Sequence, residues 1–178
     1  MRRTAAGGLT GGLALALLAV GGSAAPAQQK PQPPKVEWID VLRPGIYEIE
    51  VGSPIPDRAI STGNRVEARA YKNVKVTTQV EAKTPTVIGV ELTIVGAPRR
   101  AKVPLKMVWR YPAPGLVNPD SQVAKTSDEY PDTQLVGVTF PVFWGLTQDW
   151  HLVPGIWTLE VWHGERKLVA QEFQVVKP

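Results

Sequence analysis

The sequence predicts an all-β chain, an antiparallel β-sandwich that follows a cleavable signal peptide. Three observations carry that reading. Apolar and polar residues alternate with period two in several segments, as in Val90, Leu92 and Ile94 against Glu91, Thr93 and Val95. The 16 glycines and 17 prolines punctuate the chain between those segments, where turns are needed. Beyond the first 27 residues no convincing helical period of 3.6 is found, and neighbouring segments share no repeated motif.

Residues 1–27 read as a signal peptide. Arg2 and Arg3 form a basic start, Leu13 to Val20 an apolar core, and Ala25-Pro26-Ala27 places small residues at the cleavage positions. The apolar run is bracketed by Gly11-Gly12 and Gly21-Gly22, short of the roughly 20 residues that cross a bilayer. No stable membrane anchor is therefore expected after cleavage. The Arg2-Arg3 pair also evokes twin-arginine export, but Thr4-Ala5-Ala6 follow where that motif wants a large apolar side chain. Residues 28–35, Gln-Gln-Lys-Pro-Gln-Pro-Pro-Lys, read as a proline-rich tether that favours extended backbone. Residues 36–178 form the expected sandwich domain.

Within that domain Val36 to Leu42 and Gly45 to Val51 read as two strands broken at Arg43-Pro44-Gly45, the second with Tyr47, Ile49 and Val51 on one face. Lys72 to Ala82 reads as one strand, with Val74, Val76, Thr78 and Val80 on a common side. Val87 to Val95 follows, closed by Gly96-Ala97-Pro98. Val103 to Tyr111 is expected to lie at a sheet edge or to begin after Pro104, which lacks a ladder donor. Pro112 to Asp132 reads as the longest irregular stretch, and Leu135 to Phe143 as a strand. The chain ends in a hairpin. Trp157, Leu159 and Val161 alternate with Thr158, Glu160 and Trp162, Gly164 reverses the direction, and Phe173 and Val175 share a face on the return. The alternation slips by one between Leu168 and Phe173, which predicts a bulge or an irregular start.

A Pro-Gly turn, an aromatic on an alternating strand and a closing hairpin resemble the end of many immunoglobulin-like sandwiches. The order of Ser61-Thr62-Gly63, Thr84-Pro85-Thr86, Gly89 to Pro98, Val153-Pro154-Gly155-Ile156-Trp157 and Phe173-Gln174-Val175 resembles an exported bacterial family, domain of unknown function thirty-eight fifty-nine. The resemblance spans about Ile46 to Val176, and departs where Ile88-Gly89 stands in place of that family's frequent Phe-Gly. It implies a single immunoglobulin-like β-sandwich in the cell envelope, and it supplies no catalytic or binding residues.

The absence of cysteine excludes disulfides, thiolate metal sites and thiol chemistry. No Gly-x-Ser-x-Gly elbow is present, and His151 and His163 lack metal-ligand spacing. No metal and no cofactor is expected. Asp128, Glu129 and Asp132 cluster near Tyr130, but read as a solvated loop. His163 reads as a solvated turn residue and His151 as a surface or polar-edge one. The formal charge of +4 is mild, and half of it lies in Arg2 and Arg3. Nucleic acid is not an expected partner.

The most suggestive residues are aromatic. Trp157 belongs to the core face. Trp144 and Trp150, with His151 beside them, are the candidate contact residues, because large rigid rings suit sugars and partner proteins. Arg99 and Arg100, in the Arg99-Arg100-Ala101-Lys102 cluster, are candidate contacts for anionic envelope polymers. The expected function is a non-catalytic binding or accessory module of the envelope, periplasmic or secreted, contacting a protein or polysaccharide. Two alternatives stand beside it: a periplasmic hydrolase using His151 with Asp149 or the Asp128 cluster, and a structural partner that adds an edge strand to another protein.

Overall fold

The computed structural model describes residues 33–178. The predicted signal peptide and most of the tether lie outside the described residues. Thirteen strands follow in order: β1 (Lys35–Val51), β2 (Ile55–Pro56), β3 (Asn64–Arg65), β4 (Ala68–Val76), β5 (Gln79–Glu81), β6 (Thr86–Ala97), β7 (Lys102–Arg110), β8 (Leu116–Val117), β9 (Ala124–Lys125), β10 (Ser127–Leu135), β11 (Thr139–Leu146), β12 (Gly155–His163) and β13 (Arg166–Val176). A 3-10 turn at Asp149–His151 precedes β12.

Two main sheets pack face to face. One has the order β11-β6-β1-β4 and the other β10-β7-β12-β13-β5. Period-two burial builds the core from both. Ile88, Val90, Leu92 and Ile94 of β6 face Val103, Leu105, Met107 and Trp109 of β7, with Trp157, Leu159 and Val161 of β12 and Phe173 and Val175 of β13. The terminal hairpin forms as the alternation predicts, turning at Gly164 with φ +58. The slip lies where Val161 faces Val169 and Trp162 faces Lys167, which leaves Leu168 as the extra residue of a bulge.

Five elements differ from the sequence expectation. The expected strand Leu135 to Phe143 is divided, with Leu135 closing β10, a turn at 136–138 and Thr139 opening β11. The Arg43-Pro44-Gly45 break is a bulge within one 17-residue strand. Arg43 takes φ 47 there, its carbonyl accepts the Tyr47 hydroxyl at 2.6 Å, and pairing with β6 resumes at Gly45. The segment Lys72 to Ala82 changes sheets. Its first part lies in β4 beside β1, where Val74 and Val76 are 51% and 64% exposed, and only Val80, in β5 beside β13, and Ala82 after it enter the core.

Strand β7 is interior rather than an edge, lying between β10 and β12. The Pro104 carbonyl accepts from His163 Nδ1 at 2.9 Å, beyond the last β7–β12 ladder pair at Lys106 and Trp162. Its missing N–H therefore falls on a side where no ladder partner waits. Finally, Ser127 to Leu135 is a strand, β10, and not a loop. It is the sheet edge, a position that tolerates Pro131.

Candidate functional site

Strands β10 and β11 are the outermost strands on the same side of the two sheets, joined through Val136–Val138. The segment 52–67 leaves β1 of one sheet, reaches β10 of the other and returns to β4. Asp128, fully buried on β10, holds its midpoint. The carboxylate accepts the Ser61 backbone N–H at 2.8 Å and the Ser61 hydroxyl at 2.7 Å. Asn118 Nδ2 donates to the Ser61 carbonyl at 2.8 Å, and Lys125 Nζ donates to the Ala59 carbonyl at 2.6 Å. Arg65 Nε donates to Asp57 at 2.8 Å while its guanidinium lies 5.4 Å from the Tyr130 ring centre.

Between this segment and the two edge strands lies a cleft of about 1130 Å³. Its aromatic lining comes from Trp109, Tyr130, Phe143, Trp144, Trp150 and His151. Asn64, Asn118, Asp120, Asp132, Gln134 and Gln148 supply polar groups. Trp144 sits at the centre of the rings, its centroid 6.1 Å from Trp109, 5.1 Å from Tyr111 and 6.0 Å from Trp157. The same ring stands edge-on to His151 at 6.1 Å, and Trp150 packs edge-on against His151 at 4.0 Å.

The structure thus brings Trp144, Trp150 and His151 together. Trp144 is only 8% exposed and Trp150 is half-buried. His151 is 1% exposed, which corrects the reading of it as a surface residue. Arg99 and Arg100 stand elsewhere, exposed in the turn between β6 and β7. That turn follows the Ala97 end of β6, whereas the cleft lies toward its Thr86 end, where Leu146 of β11 pairs. The arginines and the tryptophans therefore sit at opposite ends of the sandwich.

His151 Nδ1 lies 3.2 Å from the Thr147 backbone N–H and 3.1 Å from the Gly145 carbonyl. Accepting from Thr147 fixes the tautomer that carries its proton on Nε2; donating to Gly145 fixes the other. Burial lowers the imidazole pKa, against the Gly145 carbonyl and the Asp128 charge, which raise it. The Nε2 atom is buried without a partner among the described residues, as are Trp109 Nε1, Trp144 Nε1 and the Tyr111 hydroxyl. The Tyr111 hydroxyl lies near Asp128, and Trp109 Nε1 lies near the Tyr130 hydroxyl, in neither case within hydrogen-bond geometry. Burial first, and then the nearby carboxylates, push both tyrosine pKa values up, so both phenols stay protonated.

Among the described residues no hydrogen bond joins a histidine base to a hydroxyl nucleophile. Ser61 gives its hydroxyl proton to Asp128, and no hydrogen bond among the described residues joins His151 to a hydroxyl or carboxylate. Asp128 and Asp132 share a strand face four residues apart, about 13 Å along the strand, too far for paired glycosidase carboxylates. Glu129 points the other way, 3.6 Å from Lys106. Among the described residues no three His, Cys, Asp or Glu side chains gather as a metal site.

Sequence reasoning missed Trp109, Tyr130 and the whole 52–67 crossing as parts of this site. One local signal was present. Asp128, Tyr130 and Asp132 alternate with period two, but two of the three are charged, which disguises a strand face.

No protein-family model matches the chain, and no curated protein matches it. Among solved structures it is similar to an immunoglobulin-like protein from Pseudomonas aeruginosa. The identity is 25%, the TM-score is 0.51, and the match covers 84% of this chain and 99% of that one. Fainter likenesses include a β-glucosidase from Listeria innocua (10% identity, TM-score 0.32, 72% of this chain and 16% of that one). Another is an alkylpurine DNA glycosylase from Pseudomonas fluorescens (10% identity, TM-score 0.33, 75% of this chain and 30% of that one). The last two are too distant to carry an argument. Two sheets around one core, antiparallel except for the short parallel β5–β13 pair, together with the Pseudomonas aeruginosa likeness over nearly all of that chain, make residues 33–178 an immunoglobulin-like β-sandwich.

Proposed function

We propose that this chain is a non-catalytic binding or accessory module exported to the bacterial envelope, periplasmic or secreted, of the kind formed by domain of unknown function thirty-eight fifty-nine. Its partner is an envelope protein or polysaccharide, and its contact site is the cleft between the 52–67 crossing and strands β10 and β11. The observation that carries this reading is the lining of that cleft. Three of its side chains, Trp109, Trp144 and His151, hold buried ring nitrogens with no partner among the described residues. Native proteins rarely leave such groups unmet, and their clustering in a concave aromatic site is the expected form of a binding site. Among the described residues the hydrolase alternative finds no hydrogen-bonded histidine base and nucleophile.

The test is retention of the chain from Gln28 onward on immobilised envelope extract of its own organism. Trp150→Ala is compared with Arg99→Ala/Arg100→Ala, each shown folded by circular dichroism. Trp150 is half-buried at the cleft, so its loss should weaken retention while leaving the core intact. Weakening only by the arginine pair would move the contact to the opposite end of the sandwich. Equal retention of all three would move it to the sheet edges.

A further inference from the structure

His151 docks the turn between β11 and β12 through its side chain. The backbone bonds of that turn are internal to it. His151 N–H donates to the Gln148 carbonyl at 2.9 Å, Leu152 N–H to the Asp149 carbonyl at 3.0 Å and Val153 N–H to the His151 carbonyl at 2.9 Å. Among the described residues, the hydrogen bonds that join the turn to the end of β11 run through the ring. Its Nδ1 meets the Thr147 N–H at 3.2 Å and the Gly145 carbonyl at 3.1 Å. The same turn carries the half-buried Trp150, which lines the cleft beside His151. A single 3-10 turn held in this way can open without breaking either sheet.

The ring suits this pocket only when neutral. It is 1% exposed. With its proton on Nε2 it accepts from Thr147, and with the proton on Nδ1 it donates to Gly145. The imidazolium carries both protons. Its Nδ1–H then faces the Thr147 N–H, donor against donor, and its Nε2–H is buried without an acceptor among the described residues. Little nearby charge offsets that loss. Strand β8, which packs on the turn, and the end of β11 bring only uncharged side chains. Asp128 of β10 is the carboxylate whose charge reaches the ring, but Ser61 holds its oxygens and Lys125 Nζ lies 3.8 Å from one of them. Asp149, in the turn itself, is exposed. A buried cation with neither counter-ion nor acceptor moves to water.

We infer that His151 is an acid-released latch on the cleft: on taking up a proton the ring leaves its pocket, the 148–152 turn opens, and Trp150 is carried out of the cleft lining. In the open turn the ring regains its ordinary pKa of 6.5. The open form therefore binds the proton better than the docked one, and opening is favoured as pH falls below 6.5. As a control of binding this rests on the cleft being the contact site; the opening itself does not.

The experiment has two readouts on the chain from Gln28 onward. The first is amide exchange at pH 7.5 and 5.5, each rate divided by the intrinsic rate at that pH. The amides of Thr147, His151, Leu152 and Val153 should lose up to about tenfold in protection at pH 5.5, while those of Leu92 and Leu159 hold. The loss should follow the titration of the His151 ring itself. Equal protection of the turn at both pH values, a uniform loss across the chain, or a midpoint apart from that of the ring overturns the latch. The second readout is retention on immobilised envelope extract at the same two pH values, for wild type and for His151→Gln, which keeps an acceptor but does not titrate. Wild type should be retained less at pH 5.5, and the ratio between the two pH values should be flat in the variant. An opened turn with unchanged wild-type retention, or the same acid loss in the variant, overturns the link to the cleft. Absence of retention at both pH values overturns the binding module, and the exchange readout still decides the latch. Should the variant fail to fold, coincidence of the wild-type retention midpoint with the ring titration replaces it, and divergence of the two overturns the link.

Discussion

Asp128 and Ser61 are 67 positions apart, yet one carboxylate takes both the backbone N–H and the hydroxyl of Ser61, at 2.8 Å and 2.7 Å. This contact ties the 52–67 crossing of one sheet to the edge strand of the other, and so builds one wall of the cleft. Hydrogen bonds to a charged acceptor contribute about 1.5–3 kcal/mol. Ser61→Ala, which removes the hydroxyl and keeps the backbone donor, should cost about that much in urea unfolding. It should also speed amide exchange across residues 54–66 more than elsewhere. Uniform destabilisation would mean the contact is not local to the cleft wall.

Glu160 gives a pH prediction. It points outward from β12 but is buried beneath Arg110 Nε at 3.1 Å, Lys167 Nζ at 2.7 Å and Trp162 Nε1 at 3.0 Å. Burial alone would raise its pKa, but these three donors outweigh burial and hold it at about 2, below the ordinary 4.5. The folded state therefore binds the proton less well than the unfolded one. The resulting stability is fully present above pH 4.5 and is lost as pH falls through about 2. Both cations are half in solvent, so the contribution is on the order of 1–2 kcal/mol. Unfolding midpoints of wild type and Glu160→Gln should differ at pH 6 and converge near pH 2.

His151 gives the second pH prediction. Burial lowers its pKa from the ordinary 6.5, so the neutral ring is the folded form. Its stabilising effect is complete above 6.5 and declines as pH falls below that value toward the folded pKa. Proton resonance titration should show the His151 ring titrating below 6.5. A midpoint at or above 6.5 would contradict its buried, neutral placement.

Gly89 and Phe143 face each other across β6 and β11. A Cβ at residue 89 would run into the Phe143 ring and the Val142 carbonyl. The ring rests over this gap, 4.8 Å from Tyr47 and 5.4 Å from Tyr71. Gly89→Ala should cost about 1–3 kcal/mol through overpacking and displace Phe143 from its aromatic neighbours. The readout is a lower urea midpoint with changed near-ultraviolet circular dichroism.

The contrast between β12 and β10 shows which parts of the fold were legible in the sequence. Trp157, Leu159 and Val161 alternate cleanly and end at Gly164, so local pattern alone predicts the hairpin. In β10 the same alternation is carried by Asp128, Tyr130 and Asp132 with Pro131 among them, and charge and proline read as loop. Asp128 is buried there with Ser61 donating to it from far along the chain and Lys125 Nζ 3.8 Å away, and no local period reports the Ser61 contact. Lys72 to Ala82 failed for a related reason. Its alternation is real, but the chain leaves one sheet at Thr77 and joins the other at Gln79, so Val74 and Val76 have no opposing layer. At the site, the adjacency of Trp144, Trp150 and His151 was visible, whereas Trp109 and the 52–67 wall arrive only through the tertiary fold.

The central claim is that the cleft is where this molecule meets its partner. Hydrogen–deuterium exchange of the chain from Gln28 onward, with and without envelope extract, tests it most directly. The account predicts added protection in residues 59–66 and 141–151, with the Arg99-Arg100 turn and the β4 edge unchanged. Protection confined to Ala68–Val76 or to the Arg99-Arg100 turn, with the cleft segments exchanging as before, would contradict it.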